Sequence, residues 1–530
     1  MRDTTVLGPA AVTAFRRMVL AGSLVLVSSL WGQAFAFEPK LGPAEPFSFE
    51  TLAERAKALA AKPYEEYKPP HPDLLDKIDY DAHWKIRFKP ESTVRVGDKV
   101  PLQFFHLGRY FRAPVKISLV KQGEAREIVY SDDYFTMPDD SPAKAIENEA
   151  GFAGFRIMRP DLKTDWISFL GGAYFRTDGA ETQYGLSARG IAIDTGLSSP
   201  EEFPRFTEFY IAEGAAPDED AVIYALLDGP SVTGAYRIRA KNDGGQVLTI
   251  SSRLFFRKPV KRLGIAPLTS MYWYSETNRP SAFDWRPEVH DSDGLAIITG
   301  TGERIWRPLN NPGRVVTSSF IDDNVRGFGL LQRDRNFASY EDDSVFYNKR
   351  PSVWIEPLGD WGKGAVQLVE IPTDDEIYDN IVSYWLPADL PKAGDERRFD
   401  YRLHWQKDEP YPARIARTVA TYIGQGGVPG QPRPADAIRV VVDFDGATVE
   451  GLGQQDGVKP KISLSKGTIT RSYALPIVGT KRWRMIFDMT LPKEADTVDI
   501  RAFLMKDNKP LTETWLGQLH ASQIAKMRPR

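Results

Sequence analysis

Residues 48–62, SFETLAERAKALAAK, set Leu52, Ala56 and Leu59 at helical spacing among charged residues, which predicts an amphipathic helix. Ser48 stands where an N-cap belongs, the acids fall early, Lys62 falls late and Pro63 ends the segment. A second, short helix is predicted from HPDLLDKI, with Pro72 in its first turn. From there the period drops to two. VKISLV alternates Val115, Ile117 and Leu119 with polar partners, and AYRIRA does the same through Tyr236 and Ile238. Many such runs follow, separated by Gly, Pro, Asn and Asp clusters. The pattern predicts an all-β chain built on a large antiparallel sandwich over residues 37–423.

Two stretches interrupt the alternation. GQGGVPGQPRPAD, Gly424 to Asp436, blocks both helix and strand and is read as a linker. Beyond it, IRVVVDFDG, KRWRMIFDM and TVDIRAFLM resume period two, with Trp483, Met485, Phe487 and Met489 on one face. Residues 437–530 have the size of a smaller immunoglobulin-like sandwich. At the other end, Arg16-Arg17 precede an apolar run, Met18 to Leu30, and Ala34-Phe35-Ala36 offers a cleavage site. The run is too short to span a bilayer comfortably and suits a signal peptide, residues 1–36. The paired arginines point to twin-arginine export, with an ordinary secretory signal as the alternative, since Phe15 and Val19 depart from the usual surroundings. No later apolar run is long enough to cross a membrane, so the mature chain is expected to be soluble.

Composition narrows the function classes. The chain has 530 residues, a net charge of -3 and no cysteine. The charge argues against a nucleic-acid partner, and the missing thiols exclude disulfides, thiolate metal sites and cysteine nucleophiles. The histidines, His71, His83, His106, His290, His404 and His520, are scattered, so neither a metal site nor a cofactor is expected. There is no Walker A loop, G-x-S-x-G elbow or H-E-x-x-H motif.

The chemistry concentrates between Tyr272 and Trp385, where aromatics, acids and arginines mix. Tyr272, Trp273, Trp285, Trp306, Arg307, Trp354 and Trp361 are candidate substrate contacts, because aromatic faces and planar polar groups suit the apolar faces and hydroxyl rims of sugars. The same aromatics suit a large core, which is the favoured reading for any single Trp, and the functional reading rests on their mixing with acids and loop residues. Two acid clusters stand out, His290-Asp291-Ser292-Asp293-Gly294 and Asp374-Asp375-Glu376 with Asp379. A calcium loop is disfavoured at the first, where Gly294 falls at the fourth position and an EF-hand needs the sixth. Two carboxyl groups from two loops fit inverting glycoside hydrolysis, which needs one acid and one base. Spacing alone leaves solvated turns as the simpler reading.

RPEVHDSDGL, IWRPLNNP, GFGLLQRDRNF, RPSVWIEPLGDWGKGAVQLVEIPT and DNIVSYW resemble, in order, the periplasmic glucans biosynthesis proteins G and D. FHLGRYFRAPVKI and GLSARGIAI extend the resemblance, which runs from about Phe37 to near the C-terminus. It implies a large N-terminal β-sandwich with a smaller immunoglobulin-like domain, and a role in making osmoregulated glucans with a β-1,2-linked backbone. It also implies inverting β-1,2-glucan hydrolysis, with Asp379 as general acid and Asp291 as general base. The twin-arginine-like leader resembles the D branch. The alternative is a glucan-binding scaffold that assists a membrane glucosyltransferase and cuts nothing. Apolar neighbours of Asp379 are expected to raise its pKa, and hydrogen bonding to keep Asp291 ionised.

Overall fold

The alternating runs become strands of two facing sheets. A computed structural model describes residues 37–146, 150–434, 436–491 and 496–527; the expected signal segment, 1–36, lies outside them. The larger sheet carries a long antiparallel meander, Arg205–Glu213, Ala221–Asp228, Val232–Asn242 and Gln246–Phe256, followed by Glu396–Gln406, Ser352–Leu358, Gly327–Leu331 and Gly294–Ile298. The second sheet sets Val316–Asp323, Lys363–Glu370, Ile381–Pro387, Leu263–Ser270, Ser187–Arg189 and Tyr174–Thr177 side by side. One core fills the space between them: Ile223, Ile250 and Leu403 from the first sheet meet Phe169, Leu268 and Trp385 from the second. Period-two patterning explains the choice of face. Tyr236, Ile238 and Ala240 point into this core, and Ala235, next to Tyr236, points out.

The outward side of the meander is covered by the predicted helix, Phe49–Ala60. Ser48 caps it in a reciprocal pair with Thr51. Its buried stripe, Phe49, Leu52, Ala53 and Ala56, packs on Tyr210, Leu226 and Phe255. The short helix Pro72–Lys77 also forms, with its proline in the first turn. No described helix is long and apolar enough to cross a membrane.

The C-terminal segment forms a second sandwich. Arg417–Gln425, Ala437–Asp445, Trp483–Thr490 and Thr468–Pro476 make one sheet. Thr514–His520, Thr497–Lys506 and Lys459–Leu464 face it. Trp483, Met485, Phe487 and Met489 fill the core between. The linker expectation is corrected here. The strands flanking Gly424–Asp436 pair with each other, Gln425 opposite Ile438, so the stretch is largely a hairpin loop, and Arg417–Gln425 belongs to the C-terminal sandwich. Gly and Pro that prevent regular structure serve a turn as well as a linker.

The two sandwiches are also continuous. Thr514–His520 pairs in parallel with Arg304–Pro308 and extends the larger sheet. Arg333 reaches Glu513 at 2.6 Å, both side chains buried, while its guanidinium lies 3.7 Å from the centre of the Trp306 ring. Residues from 37 onward accordingly pack as one unit.

Candidate active site

A two-residue piece of backbone organises the site. The short strand Tyr272–Tyr274 pairs with Val289–His290. On one side of it, the Asp291 N–H donates to the Met271 carbonyl at 2.8 Å. On the other side, the buried Asn380 side chain accepts from the Tyr272 N–H at 2.8 Å. The same amide donates to the Tyr272 and Ile371 carbonyls at 2.9 and 2.8 Å. Asn380 thus serves backbone groups that the loop leaves unpaired. Asp291 and Asp379, remote in sequence, therefore hang on either flank of Met271–Tyr272.

The residues around Asp291 divide the labour. His290 is fully buried, stacked near Tyr272 with ring centroids 5.5 Å apart. One ring nitrogen meets Glu288 at 2.9 Å and the other meets Gln332 Oε1 at 3.0 Å. Burial pulls its pKa down, but the hydrogen bond to Glu288 and the charges of Asp293, Glu288 and Glu276 carry it up to about 9. With acceptors on both sides, His290 is an imidazolium donating at both nitrogens. Asp293 accepts from the backbone N–H groups of Arg333 and Asp334. Glu288, His290 and Asp293 are thus an interior network, and Asp291 alone of the cluster turns to Arg350, whose Nη1 lies 2.7 Å from its Oδ1. Among the described residues, no donor meets that oxygen at hydrogen-bond angles. Burial raises the Asp291 pKa, and the charges of Arg350, His290 and Arg176 oppose the rise. An ion pair, rather than the expected hydrogen bonds, therefore favours its charged form.

Asp379 lies on the loop between Lys363–Glu370 and Ile381–Pro387. The residue is exposed to solvent, although the surrounding protein strips part of the hydration from its carboxyl. Burial raises its pKa to about 6, the Asp291 charge raises it next, and Arg176, Arg350 and Arg189 pull against both. The two acids are within electrostatic range and share the same arginines. Upstream, Glu376 anchors the loop: Arg286 reaches it at 2.8 Å and also binds Asp342 and Asp284, while the Tyr347 hydroxyl donates to it. Asp374 and Asp375 are exposed, and Asp375 accepts from the Ile377 N–H in a turn. Among the described residues, no group of three or more His, Cys, Asp or Glu is arranged to hold a metal ion.

The raised Asp379 pKa makes a stability prediction. The carboxyl titrates near 3.8 when unfolded and about 6 in the fold. The folded state therefore binds the proton more tightly. Stability falls as pH rises between those values, and the cost is complete above the folded pKa. Asp379→Asn removes the cost, so thermal melts are expected to show the variant more stable by about 1 kcal/mol at about pH 8, solvent screening discounted, and equal to the parent near pH 4. An equal stability gain at both pH values would contradict this.

The outward face of the second sheet supplies the floor. Phe175 and Ala188 point into the core, so their neighbours Tyr174, Arg176 and Arg189 point out. The Arg189 guanidinium lies 5.1 Å from the Tyr174 ring centre. The rim is apolar: Phe283, Trp285, Ile377 and Tyr378 are exposed, on two loops joined by the Arg286–Glu376 ion pair.

Most of the candidate sugar contacts are corrected. Tyr272, Trp306, Trp354 and Trp361 are buried, the first and last in the main core and the other two in the C-terminal core. Arg307 is buried in an ion pair with Glu370 at 3.0 Å. The four aromatics serve as filler of the sandwich cores, although Trp306 also lines a cavity with Glu288 and Asp293, and Arg307 lines two others. Trp285 is exposed and Trp273 partly exposed. The sequence reading missed Arg176, Arg189, Arg350, Tyr174, Tyr347 and Asn380. The sequence cues are that Asn380 adjoins Asp379 and that Asn380, Arg189 and Arg350 fall within the family-like stretches DNIVSYW, GLSARGIAI and RPSVWIEP.

Comparison with known proteins identifies the family. The family model described as "Periplasmic glucan biosynthesis protein, MdoG" matches residues 47–519. The chain belongs to that family. Glucans biosynthesis protein D 2 of Ralstonia nicotianae is 52% identical, with 91% of this chain and 93% of the relative covered. Glucans biosynthesis protein D of Stenotrophomonas maltophilia is 45% identical over 90% of this chain and 91% of its own length. A protein of the same name from Xanthomonas oryzae pv. oryzae is 45% identical over the same shares. As a member of the periplasmic glucan biosynthesis family, the protein works in the periplasm and in the making of glucans.

Proposed function

We propose that the protein is an inverting endo-hydrolase of β-1,2-glucan that sets backbone length during glucan biosynthesis. The observation that carries this reading is the placement of Asp291 and Asp379 on either flank of Met271–Tyr272, each within reach of Arg176 and Arg350. Asp379, accessible and with a pKa near 6, protonates the departing glycosidic oxygen. Asp291, whose charged form Arg350 favours against the effect of burial, receives the proton of the attacking water, directly or through a hydrogen-bonded relay. The exposed rim of Trp285 and Tyr378 offers ring faces to the sugar chain.

Incubation of the purified protein with linear β-1,2-glucan, followed by sizing and by NMR of the fresh products, is expected to show shortened chains with the α-anomer appearing first. Binding without shortening would replace this reading by a scaffold that serves a membrane glucosyltransferase. First appearance of the β-anomer would overturn the inverting assignment.

A further inference from the structure

Resting on the glucan reading above, we infer that the recess beside Tyr110 and Tyr174 is a remote glucan subsite, holding sugar units of the bound chain at a distance from the scissile bond. The recess encloses about 400 Å³, within the range of about 300–1,000 Å³ typical of small-ligand sites. Tyr110 and Phe111 come from the loop after Val100–His106, Tyr174 from the sheet floor, and Arg109, Arg112 and Arg205 also line it. Tyr110 is 66% exposed.

Continuity with the proposed active site makes sugar the occupant. Tyr174 lines the recess and also lies within the field of Asp379. Arg176, which acts on both acids, projects from the same face of the same strand two residues on. Phe169, Phe206 and Phe209 of the core also line the recess, so it opens at the edge of the sandwich, and a chain that lies over the acids and runs past Arg176 and Tyr174 meets its mouth. The floor is open because the turn before Tyr174 is Gly171-Gly172, both with positive φ; a Cβ on Gly171 would meet the Phe111 ring at 2.9 Å. No carboxylate lines the recess among the described residues. Its donors are guanidinium groups: Arg205 donates to the Pro114 carbonyl at 3.1 Å and has further N–H groups to offer. Ring faces with convergent donors suit hydroxyl-rimmed pyranose units.

The test is calorimetric binding of a graded series of linear β-1,2-glucooligosaccharides to the intact protein at low temperature. Affinity of the wild type is expected to rise stepwise once the oligosaccharide spans from the acids to the recess. Tyr110→Ala and Arg205→Met are each expected to lose about tenfold on long chains and to flatten that step. Tyr110 is exposed, so its truncation leaves the core intact, and thermal melts verify both variants. Long-chain binding by both folded variants at wild-type strength, or a wild type with no length step, overturns the subsite alone. A wild type that binds no β-1,2-glucan of any length overturns the subsite and the proposed function together.

Discussion

Asp379→Asn is expected to lower the rate of β-1,2-glucan shortening by about 10³-fold, with the affinity for glucan held within about threefold. The carboxamide keeps the size and shape of the acid but has no acidic proton to give. The leaving oxygen of a sugar is a poor anion, so losing its proton donor raises the barrier for bond cleavage and leaves ground-state binding nearly untouched. The pH profile sharpens the expectation. Asp379 holds its proton below a pKa of about 6, and the protonated form is the one that works. The wild-type kcat/KM should therefore fall as pH rises through that value. The residual activity of the variant should lack this alkaline limb. Shortening at an undiminished rate by Asp379→Asn would remove the acid from the mechanism. A matched loss of binding would show that the substitution had disturbed the loop rather than the chemistry.

The division between what the sequence displayed and what it concealed has a physical basis. Period-two alternation is imposed by burying one face of a strand, so Tyr236, Ile238, Met485 and Phe487 were readable as core. The helix Phe49–Ala60 was readable from its cap and stripe. The hairpin at Gly424–Asp436 was misread because turn chemistry and linker chemistry use the same residues. The acids showed themselves as two clusters, and the resemblance to the glucan proteins singled out one from each. The arginines were not singled out. Arg189 and Arg350 lie inside the stretches GLSARGIAI and RPSVWIEPLGDWGKGAVQLVEIPT that carry the resemblance, but Arg176 and Arg189 sit on short strands and Arg350 just before a proline, and nothing in their local chemistry marks a role. Only the pairing of Tyr174–Thr177 with Ser187–Arg189 and on to Leu263–Ser270 brings the first two under Asp379. The aromatics misled for a related reason. A Trp in a strand has the same neighbours whether its ring fills a core or lies under a sugar, and in Trp306, Trp354 and Trp361 the core prevailed.

Arg350 carries the second large expectation. Asp291 is 4% exposed, and its burial favours the neutral acid. Arg350, 2.7 Å away, is the leading charge that opposes this. Arg350→Met removes that charge and keeps most of the side-chain volume. The Asp291 pKa then climbs further, because the remaining help comes from His290 and the more distant Arg176. A general base works when ionised, so the acid limb of kcat/KM should move to higher pH. Activity at about pH 6 should fall about 10²-fold, equivalent to about 2.7 kcal/mol in the barrier, and recover in part as the pH is raised. Asp379 moves the same way, since Arg350 also holds its pKa down. The bell-shaped profile as a whole should therefore shift toward alkaline pH. Arg350→Lys restores a point charge without the planar fork, and should recover part of the rate and most of the limb position. A pH profile for Arg350→Met that is lower but unshifted would assign Arg350 a purely structural role. A profile unchanged in both height and position would separate Asp291 from proton transfer altogether, since no other residue among those described places a cation against its carboxylate.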